Sequence, residues 1–153
     1  MIMIEKNVEI AEGDLRGVEE GVQRLLHVLG YDDFDLGIKL TTNEEIRRYN
    51  NQFRGVDRPT DVLSFPYHID LVAGERIVPQ SDDDKNLGDI IISVEYLRED
   101  HDFETQPLAE CLRILLVHGL CHLLGYTHDQ EDDYELMQQK EDELLAVLRQ
   151  RDA

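Results

Sequence analysis

Three of the six histidines fall within eleven residues, in the stretch His118-Gly119-Leu120-Cys121-His122-Leu123-Leu124-Gly125-Tyr126-Thr127-His128. His118 and His122 are four positions apart, so on a helix both imidazoles project from one face, about a turn from each other. Two nitrogen donors placed that way are what a divalent metal requires of a helix. Gly125 can adopt positive φ and stop the helix, and a turn there would bring His128 back beside the other two. Three neutral nitrogens leave one tetrahedral position open, which separates catalytic zinc sites from closed structural ones.

The spacing H-x-x-x-H-x-x-G-x-x-H also matches the metzincin proteases, in which a glutamate follows the first histidine as general base. Here that place holds Gly119, which cannot take a proton. No Met-turn is recognisable either, because Met137 falls in an expected helix. Peptide hydrolysis by that route is disfavoured.

Periodicity gives the elements that must hold these residues. Residues 6–11 (KNVEIA) read as a first strand, and Leu15 to Leu29 as an amphipathic helix that Gly30 ends. FDLGIKL (34–40) alternates as a strand, and TTNEEIRRYNNQF (41–53) opens a helix at Thr42 or Asn43. VLSFPY (62–67) is a third strand, with Pro66 marking its end or an exposed edge. Residues 68–86 form a long irregular loop, and LGDIIIS (87–93) is apolar enough to be a central strand. A short helix is expected from Val94 to Asp102. The next starts at Thr105 and Pro107, carries Leu108, Leu112, Leu115 and Leu116 on one stripe, and holds the first two histidines. A final acidic helix runs from about Asp132 to Arg149, packing through Leu136, Leu144, Val147 and Leu148. The expectation is one α+β (α/β-like) domain over residues 1–153: a small mixed sheet of four strands covered by about five helices.

Composition agrees. The chain has 153 residues, of which 41 % are hydrophobic and 32 % charged, as in folded domains rather than disordered chains. No apolar run approaches the ~20 residues of a membrane helix. The opening MIMIEKNVEI lacks a basic region followed by an apolar stretch, so no secretory signal is expected and the cytoplasm is the expected compartment. Cys111 and Cys121 lie about 15 Å apart along one helix, beyond disulfide reach, and read as reduced thiols. Fifteen basic against 34 acidic side chains give a formal charge of −19. Such a surface repels polyanions. Lys39, Arg47, Arg48, Arg54 and Arg58 form the one basic cluster, which could line a positive groove.

The histidine stretch resembles the signature of the YbeY family, H-G-x-x-H-L-x-G-Y-D-H. Asn50 to Phe65 (NNQFRGVDRPTDVLSF) resembles the family segment in which an arginine precedes P-T-D-V-L-S-F, and Leu87-Gly88-Asp89-Ile90 resembles its L-G-D-I strand. The likeness runs from about residue 35 to 145. It implies a metal-dependent hydrolase: a single-strand-specific endoribonuclease acting in ribosomal RNA maturation, at the 3′ end of the small-subunit RNA, and in ribosome quality control. It further implies one zinc or other divalent ion on His118, His122 and His128, His118 also acting in catalysis, and the family's functional arginine at Arg54. A guanidinium there can grip a phosphate through two hydrogen bonds. Implied partners are single-stranded or ribosomal RNA and small-subunit components, with no membrane and no DNA. Thr127 stands where the family usually has Asp, which removes a carboxylate able to orient a ligand; Asp129 is the nearby substitute. Two readings stand beside this one: an assembly factor with a mainly structural metal, and a metallohydrolase of peptides or small molecules. A closed four-ligand site would favour the first, and a carboxylate near the metal the second.

Overall fold

The computed structural model describes residues 1–100 and 106–150. Its sheet has four strands in the order β1 (Ile2–Lys6), β2 (Asp35–Thr41), β4 (Asn86–Ser93), β3 (Val62–Pro66). The first three are mutually parallel and β3 runs antiparallel along β4, leaving β3 as an edge. Among the described residues five α-helices accompany it: α1 (Glu12–Leu29), α2 (Asn43–Arg54), α3 (Val94–Glu99), α4 (Leu108–Leu123) and α5 (Glu131–Arg149). The expected mixed sheet and fold class hold. Among the described residues no helix is long and apolar enough to cross a membrane.

Strand alternation decides what each face of the sheet meets. Leu36, Ile38 and Leu40 of β2, with Leu87, Ile90 and Ile92 of β4, point into the main core, which α1, α4 and α5 close. Gly37, Lys39, Asp89 and Ile91 occupy the alternate positions. There α2 packs Ile46 on Leu63 and Ile91, with Tyr49 and Phe65 at the margin. Helix α4 is buried nearly all round, from Cys111 to Leu123, which fits its place between the sheet and two other helices. Both cysteines are buried within it as thiols outside any disulfide, as expected, and burial pushes the Cys121 thiol up to about 12.

Three expectations need correction. The first strand is Ile2–Lys6, not 6–11: Ile2 and Ile4 pair beside Leu36 and Ile38, while Val8 and Ile10 mimic the alternation because the connecting segment also rests on the core. On α5 the buried face runs through Met137, Leu144 and Leu148; Leu136 is 49 % exposed. Helix α3 stops at Glu99, and α4 begins at Leu108 after Pro107; Asp102 and Thr105 lie outside the described residues. The 68–86 loop contains only a 3₁₀ turn at Asp82–Asp84, yet it is pinned. Ile77 is buried and its N–H donates to the Tyr31 hydroxyl (3.1 Å), while His68 Nε2 meets the Asp84 carbonyl (2.8 Å).

Candidate metal centre

Helix α4 ends in a Schellman turn. The N–H of Gly125 donates to the His122 carbonyl (3.1 Å) and that of Tyr126 to the Cys121 carbonyl (3.0 Å). Gly125 takes φ +93°, and a Cβ there would lie 2.5 Å from the Leu71 carbonyl oxygen. Only glycine meets both conditions, and the reversal carries the chain back past the end of α4. His128 thereby returns: its ring centroid is 5.1 Å from that of His122 and 6.0 Å from that of His118. One ligand atom from each of the three lies within 4.8 Å of the others, so the group could hold a metal ion.

The orientation of the rings is more telling than their proximity. His122 Nδ1 lies 3.0 Å from the Tyr126 carbonyl, which can only accept, so that nitrogen carries the proton. His118 Nδ1 lies 3.2 Å from Glu141 Oε2 of α5, a side chain 16 % exposed. Both Nε2 atoms are thereby turned toward one another, 3.2 Å apart. If each Nδ1 holds its proton, two lone pairs face each other, an arrangement that a shared cation relieves. Two nitrogens bound to one tetrahedral zinc at 2.0–2.1 Å are separated by about 3.3 Å, so the residues fit such an ion. Burial, reinforced by His118, pushes His122 down to about 4, leaving it neutral and able to ligate at neutral pH.

With Thr127 in place of the family's Asp, Asp129 is the carboxylate the sequence offers for orienting a ligand histidine. Among the described residues neither is bonded to a histidine; a main-chain carbonyl and Glu141 do that work instead. Glu141 lies 23 positions from His118, inside the run of acidic residues that reads as a solvated face.

The histidines open into a groove of about 730 Å³. Arg54, at the end of α2, lines it, as do Asp61 and Ser64. Arg54 has no ion pair among the described residues. Asp61 Oδ1 accepts from the Val62 N–H (2.7 Å) and the Thr60 hydroxyl (3.3 Å), which fixes its carboxylate at the start of β3. Gly119 faces inward: a Cβ would lie 3.0 Å from Ile90 Cγ2 and 3.2 Å from Ser64 Oγ, so a glutamate in the metzincin position would crowd both side chains. The expected basic groove does not form. Lys39 pairs with Glu45, Arg47 pairs with Asp57, and of the five cluster residues only Arg54 lines the groove.

Comparison with known proteins finds relatives over nearly the whole chain. The family model described as endoribonuclease YbeY matches residues 8–149. A Homo sapiens protein named endoribonuclease YbeY is 41 % identical over 152 residues, covering 97 % of this chain and 86 % of its own. One of the same name from Thermoanaerobacter sp. (strain X514) is 36 % identical over 140 residues, covering 86 % and 85 %. The solution structure of TM1509 from Thermotoga maritima superposes with a TM-score of 0.59 at 24 % identity, covering 99 % of this chain and 93 % of that one, a likeness of fold.

Proposed function

The chain belongs to the endoribonuclease YbeY family, and on that premise we propose that it is a zinc-dependent endoribonuclease of single-stranded RNA. In this reading one domain carries the activity, His118, His122 and His128 hold the metal, and Arg54 meets the substrate. The carrying observation is the pair of Nε2 atoms 3.2 Å apart at the base of the groove that Arg54 lines. An uncharged, all-nitrogen donor set suits zinc. Among the described residues no fourth ligand joins the three, which favours an open site over a structural one.

A bound divalent ion would supply Lewis-acid polarisation and lower the pKa of water toward ~7. The protein's own groups do the rest. Glu141 and the Tyr126 carbonyl hold the two α4 rings in their metal-binding orientation. Arg54 grips a phosphate through its planar donors and offsets the negative charge that grows as the phosphodiester is attacked. The attacking oxygen, from water or the substrate's own 2′-hydroxyl, enters between Arg54 and the histidines.

Among the described residues Arg54 is the only lysine or arginine lining the groove, in a chain of net charge −19. Affinity for free RNA is accordingly weak, and ribosomal components deliver the substrate. Maturation of small-subunit ribosomal RNA and ribosome quality control are the setting we assign to it.

Asp61 gives a second reading some footing, because it places in the groove the carboxylate that Gly119 lacks, as peptide hydrolysis would require. One experiment separates the two: zinc-loaded protein is offered single-stranded RNA, duplex RNA and unstructured peptides. Cleavage of single-stranded RNA alone is expected, and Arg54→Ala lowers turnover by on the order of 10²-fold with zinc content unchanged. Peptide cleavage without RNA cleavage would install the second reading. Full RNA cleavage by verified metal-free His118→Ala protein would overturn the first.

A further inference from the structure

The face of the sheet away from the main core carries a second cavity, of about 400 Å³. Its floor is one row of the sheet, in which Gly37 of β2, Asp89 of β4 and Phe65 of β3 are register partners. Its wall is α2, with Tyr49 and Phe53. Phe53 is 58 % exposed, meets Phe65 edge-on at 5.2 Å and stacks on Tyr49 at 6.2 Å. A Cβ at Gly37 would lie 2.1 Å from Asp89 Oδ1, so the carboxylate leans into space that only glycine leaves. Asp89 makes no hydrogen bond or ion pair among the described residues. Aspartate in mid-strand is disfavoured, and this exposed one meets no partner among the described residues. Lys39, two positions along β2 on the same face, donates to the Tyr49 hydroxyl (3.3 Å) and pairs with Glu45. An ammonium has three donors, so one remains.

We propose that this cavity is a subsite for a guanine base of the RNA strand, an assignment that rests on the endoribonuclease reading. Phe53 and Phe65 line both this cavity and the histidine groove. A strand passing the histidines and rounding the edge strand β3 therefore brings a neighbouring base here. Single-stranded RNA is recognised by unstacking bases onto aromatic side chains and reading their edges. The Asp89 carboxylate repels phosphate and accepts hydrogen bonds, which admits a base and excludes the backbone. Among the four bases guanine alone presents two adjacent donors, N1–H and the N2 amino group, to a two-oxygen acceptor. Its O6 then takes the remaining donor of Lys39.

The test is titration of the zinc-loaded, full-length protein with 5′-GMP, 5′-IMP and 5′-AMP, followed by NMR at the Phe53 and Phe65 rings. GMP is expected to bind on the order of tenfold more tightly than IMP, which lacks the N2 amino group, and than AMP. Asp89→Asn removes the preference, and Phe53→Leu weakens all three nucleotides. Equal affinity for the three, a preference that survives Asp89→Asn, or ring signals that do not move would each overturn the subsite. The GMP–IMP comparison in the unmodified protein decides the matter even if Asp89→Asn folds poorly. Wild-type protein that cuts no single-stranded RNA would defeat the endoribonuclease reading instead, and the titration would still decide what the cavity holds.

Discussion

Helices α1, α4 and α5 seal one face of the sheet, whereas the other is covered by α2 over β3 and β4 and left open beside them. The metal centre grows from the sealed side. His118 and His122 project from a helix whose neighbours are buried, and their outer nitrogens are held by groups on α5 and on the turn after α4. The open side shows the exposed Phe53 ring of α2 beside the Asp89 carboxylate of β4, which has no partner among the described residues. Dense packing fixes ligand atoms to fractions of an ångström; a thinly covered face leaves room for something to lie on it.

Adjacent isoleucines of β4 probe that contrast most strongly. Ile90 points into the main core and Ile91 toward α2. Ile90→Ala should cost about 4 kcal/mol in denaturant unfolding and Ile91→Ala about 2 kcal/mol, at opposite ends of the usual range for such truncations. Equal losses would break the distinction between the faces. Gly125→Ala comes next. Its positive φ and the nearby Leu71 carbonyl together should cost about 2–3 kcal/mol, and the displaced turn should weaken metal binding in a chelator competition. A variant with unchanged stability and zinc affinity would remove the turn from the account.

Glu141→Gln sharpens the comparison from the sealed side. The amide can still accept from His118, but with less charge. Zinc affinity should fall by about tenfold, and with Glu141→Ala by up to about 100-fold, while the melting temperature of metal-free protein hardly moves. The smallest effect is one of pH. His122 is held down to about 4 in the metal-free fold, below its ordinary value of 6.5. Between those values the unfolded chain binds a proton that the folded chain refuses. Stability of metal-free protein therefore falls as the pH drops from about 6.5 to about 4 and loses nothing further through this group below that. Denaturant melts of metal-free wild type and His122→Gln across this window should show the shallower slope in the variant.

Much of this fold is written in periodicity. The 15–29 and 41–53 helices, the central strand and the His-x-x-x-His pair followed by Gly125 are legible because local spacing alone defines them. What escaped depends on contacts between distant segments. Glu141 is one more acid in an acidic helix until α5 packs on α4 and sets it against His118. Met137 and Leu136 differ by one step around a helix, and only docking decides which is buried. The basic cluster dissolved because Glu45 and Asp57 reach two of its members in space. Asp89 belonged to a recognisable segment, yet its empty surroundings follow from its register with Gly37.

The central claim, three imidazoles around one divalent ion, is tested most directly by elemental analysis of protein purified without chelators, beside His118→Ala and His122→Ala. The account predicts one zinc per wild-type chain and almost none in either folded variant. Variants that keep the full complement of metal would contradict it.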